Sequence, residues 1–176
     1  MVQLIGWRER ASLPELDIKR LKLKIDTGAR TSALHAVNIR AFHKANVEWV
    51  EFDLCSEPTA KSATAAKTAK GKKQLAQKPK HCRARVLEHR VVKDSGGHEE
   101  NRVVIETQIE MAGQSWSIEL SLTDRANMGY RMLLGRTALA GRFMIDPSDS
   151  YLTTASRRSN DQPGSDRHGE DSREEE

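Results

Sequence analysis

"LKLKIDTGARTSALHA", residues 21–36, sets a single aspartate between an alternating strand and a glycine. Leu21, Leu23 and Ile25 fall on one face of an extended segment, and Arg20, Lys22 and Lys24 on the other. That is the period of a half-buried strand. The strand is expected to carry Asp26 to a buried position, where an ionised carboxylate is costly. Gly28 lets the backbone turn and lets another segment approach closely. Thr27 offers a hydroxyl that can hold its neighbours, and the small Ala29 leaves room beside the carboxylate. Asp-Thr-Gly by itself also fits a plain strand end closed by an Asx turn.

The flanking chain reads as more strands. "VEWVEFDL" (47–54) and "CRARVLEHRVV" (82–92) alternate loosely, and "NRVVIETQIEMAGQSWSIELSLTD" (101–124) reads as two strands joined at Ala112-Gly113-Gln114. "YRMLLG" (130–135) is a short strand, "RTALAGRF" (136–143) has room for about two helical turns before Gly141, and "FMIDP" (143–147) closes the series. Many short strands, regular turn signals and one short helix predict a small all-β, barrel-like domain. Trp7, Trp49 and Trp116 suit core or dimer-contact positions.

Charge divides the chain unevenly. Residues 56–85 hold nine Lys/Arg against Glu57 alone, so their +8 leaves −4 for the rest of a chain whose formal charge is +4. The basic character therefore belongs to one stretch. A domain over 1–152 is expected, interrupted at about 56–80 by a Lys/Ala-rich insertion that cannot bury a core face. A disordered charged tail is expected over 153–176. The N-terminus meets arginine and glutamate before any long apolar run, so no signal peptide or membrane span is expected and the default compartment is the cytoplasm. Two cysteines, Cys55 and Cys82, make no disulfide framework and read as thiols.

The later stretch "MLLGRTAL" (132–139) supplies the second half of a motif. Asp26-Thr27-Gly28-Ala29 followed by Leu133-Leu134-Gly135 resembles the retropepsin-like aspartic peptidases, in which a hydrophobic-hydrophobic-glycine element packs beneath an Asp-Thr-Gly-Ala loop. Arg136 stands where many members also carry arginine. "IGWRERASLPEL", "KIDTGARTSALHA" and "MLLGRTALAGRFMIDP" are closest to a bacterial branch historically labelled ATP-dependent zinc proteases. The resemblance covers most of residues 4–55 and 82–152. It implies a small acid-protease barrel with one short helix after Leu-Leu-Gly, and an association with glutamate ligases that modify ribosomal proteins.

Aspartic-peptidase chemistry needs two carboxylates sharing a proton, and this chain has one Asp-Thr-Gly. The resemblance implies a homodimer in which each copy contributes Asp26 as catalytic acid/base to cleave an extended protein or peptide segment. It also implies a hairpin flap, for which "RVVKDSGGHEENRVVIE" is the candidate, with Ser95, Gly96, Gly97 and His98 at its tip. Many viral relatives carry an aspartate after the alanine; here Arg30 stands there, as in the bacterial branch, so Arg30 and Arg136 need other partners. Asp124, Asp146 and Glu119 are the acids considered for them.

Rival readings remain. A zinc protease finds little support: no His-Glu-x-x-His occurs, and His35, His43, His81, His89, His98 and His168 lack compact ligand spacing. "HCRARVLEH" offers His81, Cys82 and His89, but strand neighbours point to opposite faces. No phosphate-cradling glycine loop occurs for ATP. Neither metal nor other cofactor is expected. A non-catalytic peptide- or ribosome-binding module of the same fold is the other alternative. The basic insertion adds nonspecific RNA contact, without aromatics for base-specific stacking.

Overall fold

The computed structural model describes residues 2–54, 79–93, 96–124 and 129–155. In chain order the strands are β1 (Gln3–Gly6), β2 (Arg8–Leu13), β3 (Ile18–Asp26), β4 (Ser32–His35), β5 (Val37–Lys44), β6 (Val47–Leu54), β7 (Lys80–Lys93), β8 (Glu99–Met111), β9 (Gln114–Thr123), β10 (Met132–Gly135) and β11 (Phe143–Asp146). Two four-residue helices, α1 (Arg136–Leu139) and α2 (Leu152–Ala155), and a 3-10 turn at Pro14–Leu16 accompany them. The all-β, barrel-like class expected from the sequence is the class observed. Among the described residues no helix is long and apolar enough to cross a membrane.

β3 follows its alternation: Leu23 and Ile25 are buried, and Lys22 and Lys24 exposed. It lies in a sheet ordered β2-β3-β10-β4-β9-β8-β7-β6-β5. β2 meets β8 again at Ser12 and Glu110, so the sheet curls back towards its own edge. The concave side gathers Leu23, Leu34, Ile105, Ile109, Leu120 and Leu134, all essentially inaccessible to water. Burial of each such side chain contributes about 1.5–3 kcal/mol.

The β8–β9 hairpin turns on Ala112 and Gly113, both at positive φ (57° and 77°), with Met111 paired to Gln114. Two left-handed central residues match the turn to the strand twist. The helix after Gly135 makes one turn, not the two predicted. Ala140 already has extended ψ (128°), and Gly141 at φ +74° redirects the chain into β11.

Lys80, assigned by sequence to the insertion, instead opens β7 and its ammonium meets the Asp17 carboxylate at 2.6 Å. Apart from Pro79, the rest of that insertion, with the RNA contact expected from it, falls on residues outside those described. So does most of the expected tail, although its first residue, Thr153, belongs to α2. Cys82 is buried, and burial pushes its thiol up from the ordinary range.

β1 and β11 form a separate parallel pair, tied to the main sheet by a buried carboxylate. Glu9, fully enclosed, accepts the Gly6 N–H at 2.8 Å and the Thr153 hydroxyl at 2.7 Å. A Cβ on Gly6 would lie 2.5 Å from the Asp149 carbonyl oxygen, so the strap after β11 passes hard against β1. Replacing Glu9→Ala strands both donors beside a cavity and is expected to cost roughly 2–4 kcal/mol. Chemical denaturation of the two proteins measures this, and Glu9→Gln should recover most of it.

Candidate active site

β10 runs parallel to β3, with Leu133 beside Lys24, Leu134 beside Ile25 and Gly135 beside Asp26. Its other edge pairs antiparallel with β4 through Met132–Leu34 and Leu133–Ala33. The Leu-Leu-Gly element thus fills the slot between the strand that enters the Asp-Thr-Gly loop and the strand that leaves it. Leu134 is buried in the core and Leu133 half-buried. A Cβ on Gly135 would sit 2.6 Å from the Thr31 carbonyl carbon and 2.8 Å from the Ser32 nitrogen, both backbone. Only glycine lets the segments touch there.

Hydrogen bonds close the junction. Gly135 N–H donates to the Ser32 hydroxyl at 3.0 Å. Arg136 N–H donates to the Ala29 carbonyl at 2.8 Å and Thr137 N–H to the Arg30 carbonyl at 3.1 Å. The Thr137 hydroxyl also donates to Arg30 O at 2.9 Å, and the Arg136 guanidinium to Thr27 O at 3.0 Å. The first turn of α1 therefore claims the carbonyls of Thr27, Ala29 and Arg30. That accounts for Arg136 without an acid. Of the acids considered, Glu119 pairs with Arg90, and Asp146 accepts from Ser148, whose N–H and hydroxyl hold its carboxyl below the usual range.

Asp26 is half-buried, less enclosed than the sequence suggested, because Thr27 and Gly28 beyond it are exposed. Its Oδ1 accepts the N–H groups of Gly28 at 3.1 Å and Ala29 at 3.2 Å. Its Oδ2 takes no hydrogen bond from the described residues. The loop orients one oxygen and leaves the other uncommitted.

β7 and β8 pair as a long hairpin, here called the arm, over the stretch considered for a flap. Pairing runs from Val86–Ile105 to Lys93–Glu99 with a bulge at Leu87. Gly96, Gly97 (φ +83°) and His98 lie at its tip, and Ser95 lies outside the described residues. Arg90 anchors the arm: its guanidinium donates to the Thr31 hydroxyl at 2.9 Å and meets Glu119 at 2.8 Å and Glu88. Its link to Glu119, with Glu88 in support, keeps that guanidinium more firmly protonated than usual. Arg90, Thr31, Ser32 and Thr137 do not stand out in the sequence. The hydroxyls directly after the loop, in "TS", were the available signal; nothing local marked Arg90.

The three residues weighed for zinc diverge. His81 binds Asp53 at 2.9 Å, His89 binds Glu48 at 2.9 Å, and Cys82 points into the core. Among the described residues no three His, Cys, Asp or Glu side chains cluster as a metal set.

An Asp-Thr-Gly-Ala loop seated on a parallel hydrophobic-hydrophobic-glycine strand, with a long hairpin anchored behind it, defines the retropepsin-like class. The chain belongs to the RimB-like family, described as retropepsin-like aspartic endopeptidase RimB, whose profile matches residues 4–156. A probable alpha-L-glutamate ligase of Shewanella pealeana is 39% identical over 148 residues, covering 84% of this chain. One from Desulfotalea psychrophila is 37% identical over 146 residues. The chain spans only 29% and 28% of the lengths of these relatives. The crystal structure of Lpg0085, a Legionella pneumophila protein of unknown function, shares the fold with a TM-score of 0.65 at 24% identity, over 86% of this chain and 98% of that one.

Two outcomes test the geometry. Gly135→Ala should destabilise the protein by roughly 2–4 kcal/mol, since backbone rather than a flexible side chain must yield; the denaturation midpoint reports it. Arg90→Met should raise amide hydrogen exchange across residues 86–105 by about fivefold or more, leaving β3 and β10 protected.

Proposed function

We propose that the chain is half of an aspartic endopeptidase, a cytoplasmic homodimer in which two Asp26 carboxylates meet about a two-fold axis. The observation that carries this reading is the state of Asp26: Oδ1 fixed by two backbone N–H groups, Oδ2 uncommitted among the described residues, and an exposed Thr27-Gly28 edge beside it. An isologous contact sets the same residue opposite itself. Like charges that close retain one shared proton. The ionised carboxylate takes a proton from water, whose oxygen attacks the scissile carbonyl polarised by the protonated partner. The resulting tetrahedral carbon expels the amine as that nitrogen is protonated.

The substrate is an extended protein segment, which can add as a strand beneath the arm. Lys24, Arg30 and Arg136 are exposed around the loop, a setting that favours acidic segments. Relatives named as glutamate ligases carry a matching stretch within much longer chains. That supports a partnership with a ligase and a glutamate-extended tail, of a ribosomal protein for instance, as substrate.

Asp26→Asn should keep the melting temperature and sedimentation coefficient while cleavage of an extended acidic peptide falls by about 10³-fold. Mixing equal amounts of wild-type and variant subunits should, after exchange, leave roughly a quarter of the activity, because only one dimer in four then has two aspartates. Half the activity would mean that each chain works alone. Binding without cleavage by the wild type would make the protein a peptide-binding module instead.

A further inference from the structure

A groove of about 1040 Å³ opens away from Asp26, between β2, the start of β3 and the β8–β9 turn, with α2 at its border. Arg20 lies six positions before Asp26 along β3, about 20 Å of extended chain. An irregularity in the sheet shapes the groove. The β2–β3 register shifts between Ala11 and Leu13, and the displaced Ser12 pairs with Glu110 of β8 instead. Opposite, Arg20 takes a left-handed backbone (φ +54°), with its N–H on the Ser12 hydroxyl at 3.3 Å. A non-glycine residue is strained in that conformation, and bulges re-aim side chains.

The consequence is that Arg20 and Arg10 line one groove. Arg10 sits over the Tyr151 ring, 5.0 Å from its centroid. Neither guanidinium pairs with a carboxylate among the described residues, and Glu110 is the one acid among the described lining residues. Two guanidiniums with no carboxylate partner among the described residues favour an anionic ligand. Leu4, Met111 and Leu152 add apolar wall, and the Gln3 and Gln114 side-chain amides, joined at 3.3 Å, add peptide-like hydrogen-bonding groups. No aromatic ring is among the described lining residues for a base to stack on. The chemistry fits a peptide rather than a nucleic acid.

We propose that this groove is a docking site for an acidic peptide segment, its carboxylates on Arg10 and Arg20 and its apolar atoms on Leu4 and Leu152. The site stands whether or not Asp26 cleaves peptides. A substrate long enough to span the distance would be held at both places.

The test uses the full chain carrying Asp26→Asn, so that no probe is consumed, and fluorescence anisotropy. The probe is a labelled peptide of alternating Glu and Ala, roughly twelve residues long. Adding Arg10→Gln and Arg20→Gly together should weaken binding about five- to tenfold. Glycine relieves the left-handed backbone, so the melting temperature should hold, and Arg20→Gly alone should show part of the loss. A peptide with Gln in place of Glu should bind poorly. Unchanged affinity in the double variant overturns the proposal. So does equal binding of the Gln peptide, or a loss produced by Arg30→Gln but not by the groove variants. Tighter groove-dependent binding of single-stranded RNA would assign the groove to nucleic acid and overturn it as well.

Discussion

Because β10 occupies the slot between β3 and β4, residues 26–35 and 132–137 cannot part without opening a parallel ladder, an antiparallel ladder and the junction at Gly135 together. Buried backbone groups left without partners are costly. The loop that bears Asp26 therefore sits on a rigid seat even though its outer edge is exposed. The core beneath, with Leu134 and Leu23 fully buried, supplies the cohesion. The hydrogen bonds supply the geometry. Arg136 joins the two, since its backbone N–H and its guanidinium both reach the loop.

How far this was legible in the sequence depends on whether a signal is local. The alternation of Leu21, Leu23 and Ile25 announces a strand, and Ala112-Gly113 announces a tight hairpin, because each is set by neighbouring residues. Asp26 to Ala29 and Leu133 to Gly135 stand out for a related reason: the close approach they make restricts both segments to small or aliphatic residues. Features set by distant pairing were not legible. The degree of burial of Asp26 depends on how far the exposed loop edge projects. The shortness of α1 depends on where β11 must start to reach β1. Arg90 lies in a strand of weak alternation, and its partners Thr31 and Glu119 are distant in sequence; the registers of β4, β7, β8 and β9 bring them together. The groove likewise follows from the register shift after Ala11.

The inner and outer sides of the Asp26 loop are built differently, and the contrast bears on function. Inward, the carbonyls of Thr27, Ala29 and Arg30 all have donors. Outward, Thr27 and Gly28 are exposed, and one carboxylate oxygen holds no bond among the described residues. An Asx turn accounts for the N–H contacts on Oδ1. The dimeric site proposed above would use both the fixed carboxylate and the exposed edge.

The arm is attached in a different manner again. Its base continues the sheet through β7–β8 pairing, and the Arg90 side chain ties it to the loop at Thr31. A side-chain bond can yield without breaking a backbone ladder, so the arm can shift while the seat of Asp26 stays fixed. For the peptidase activity proposed above, this division of labour would keep Asp26 preorganised while the hairpin admits and covers an extended chain.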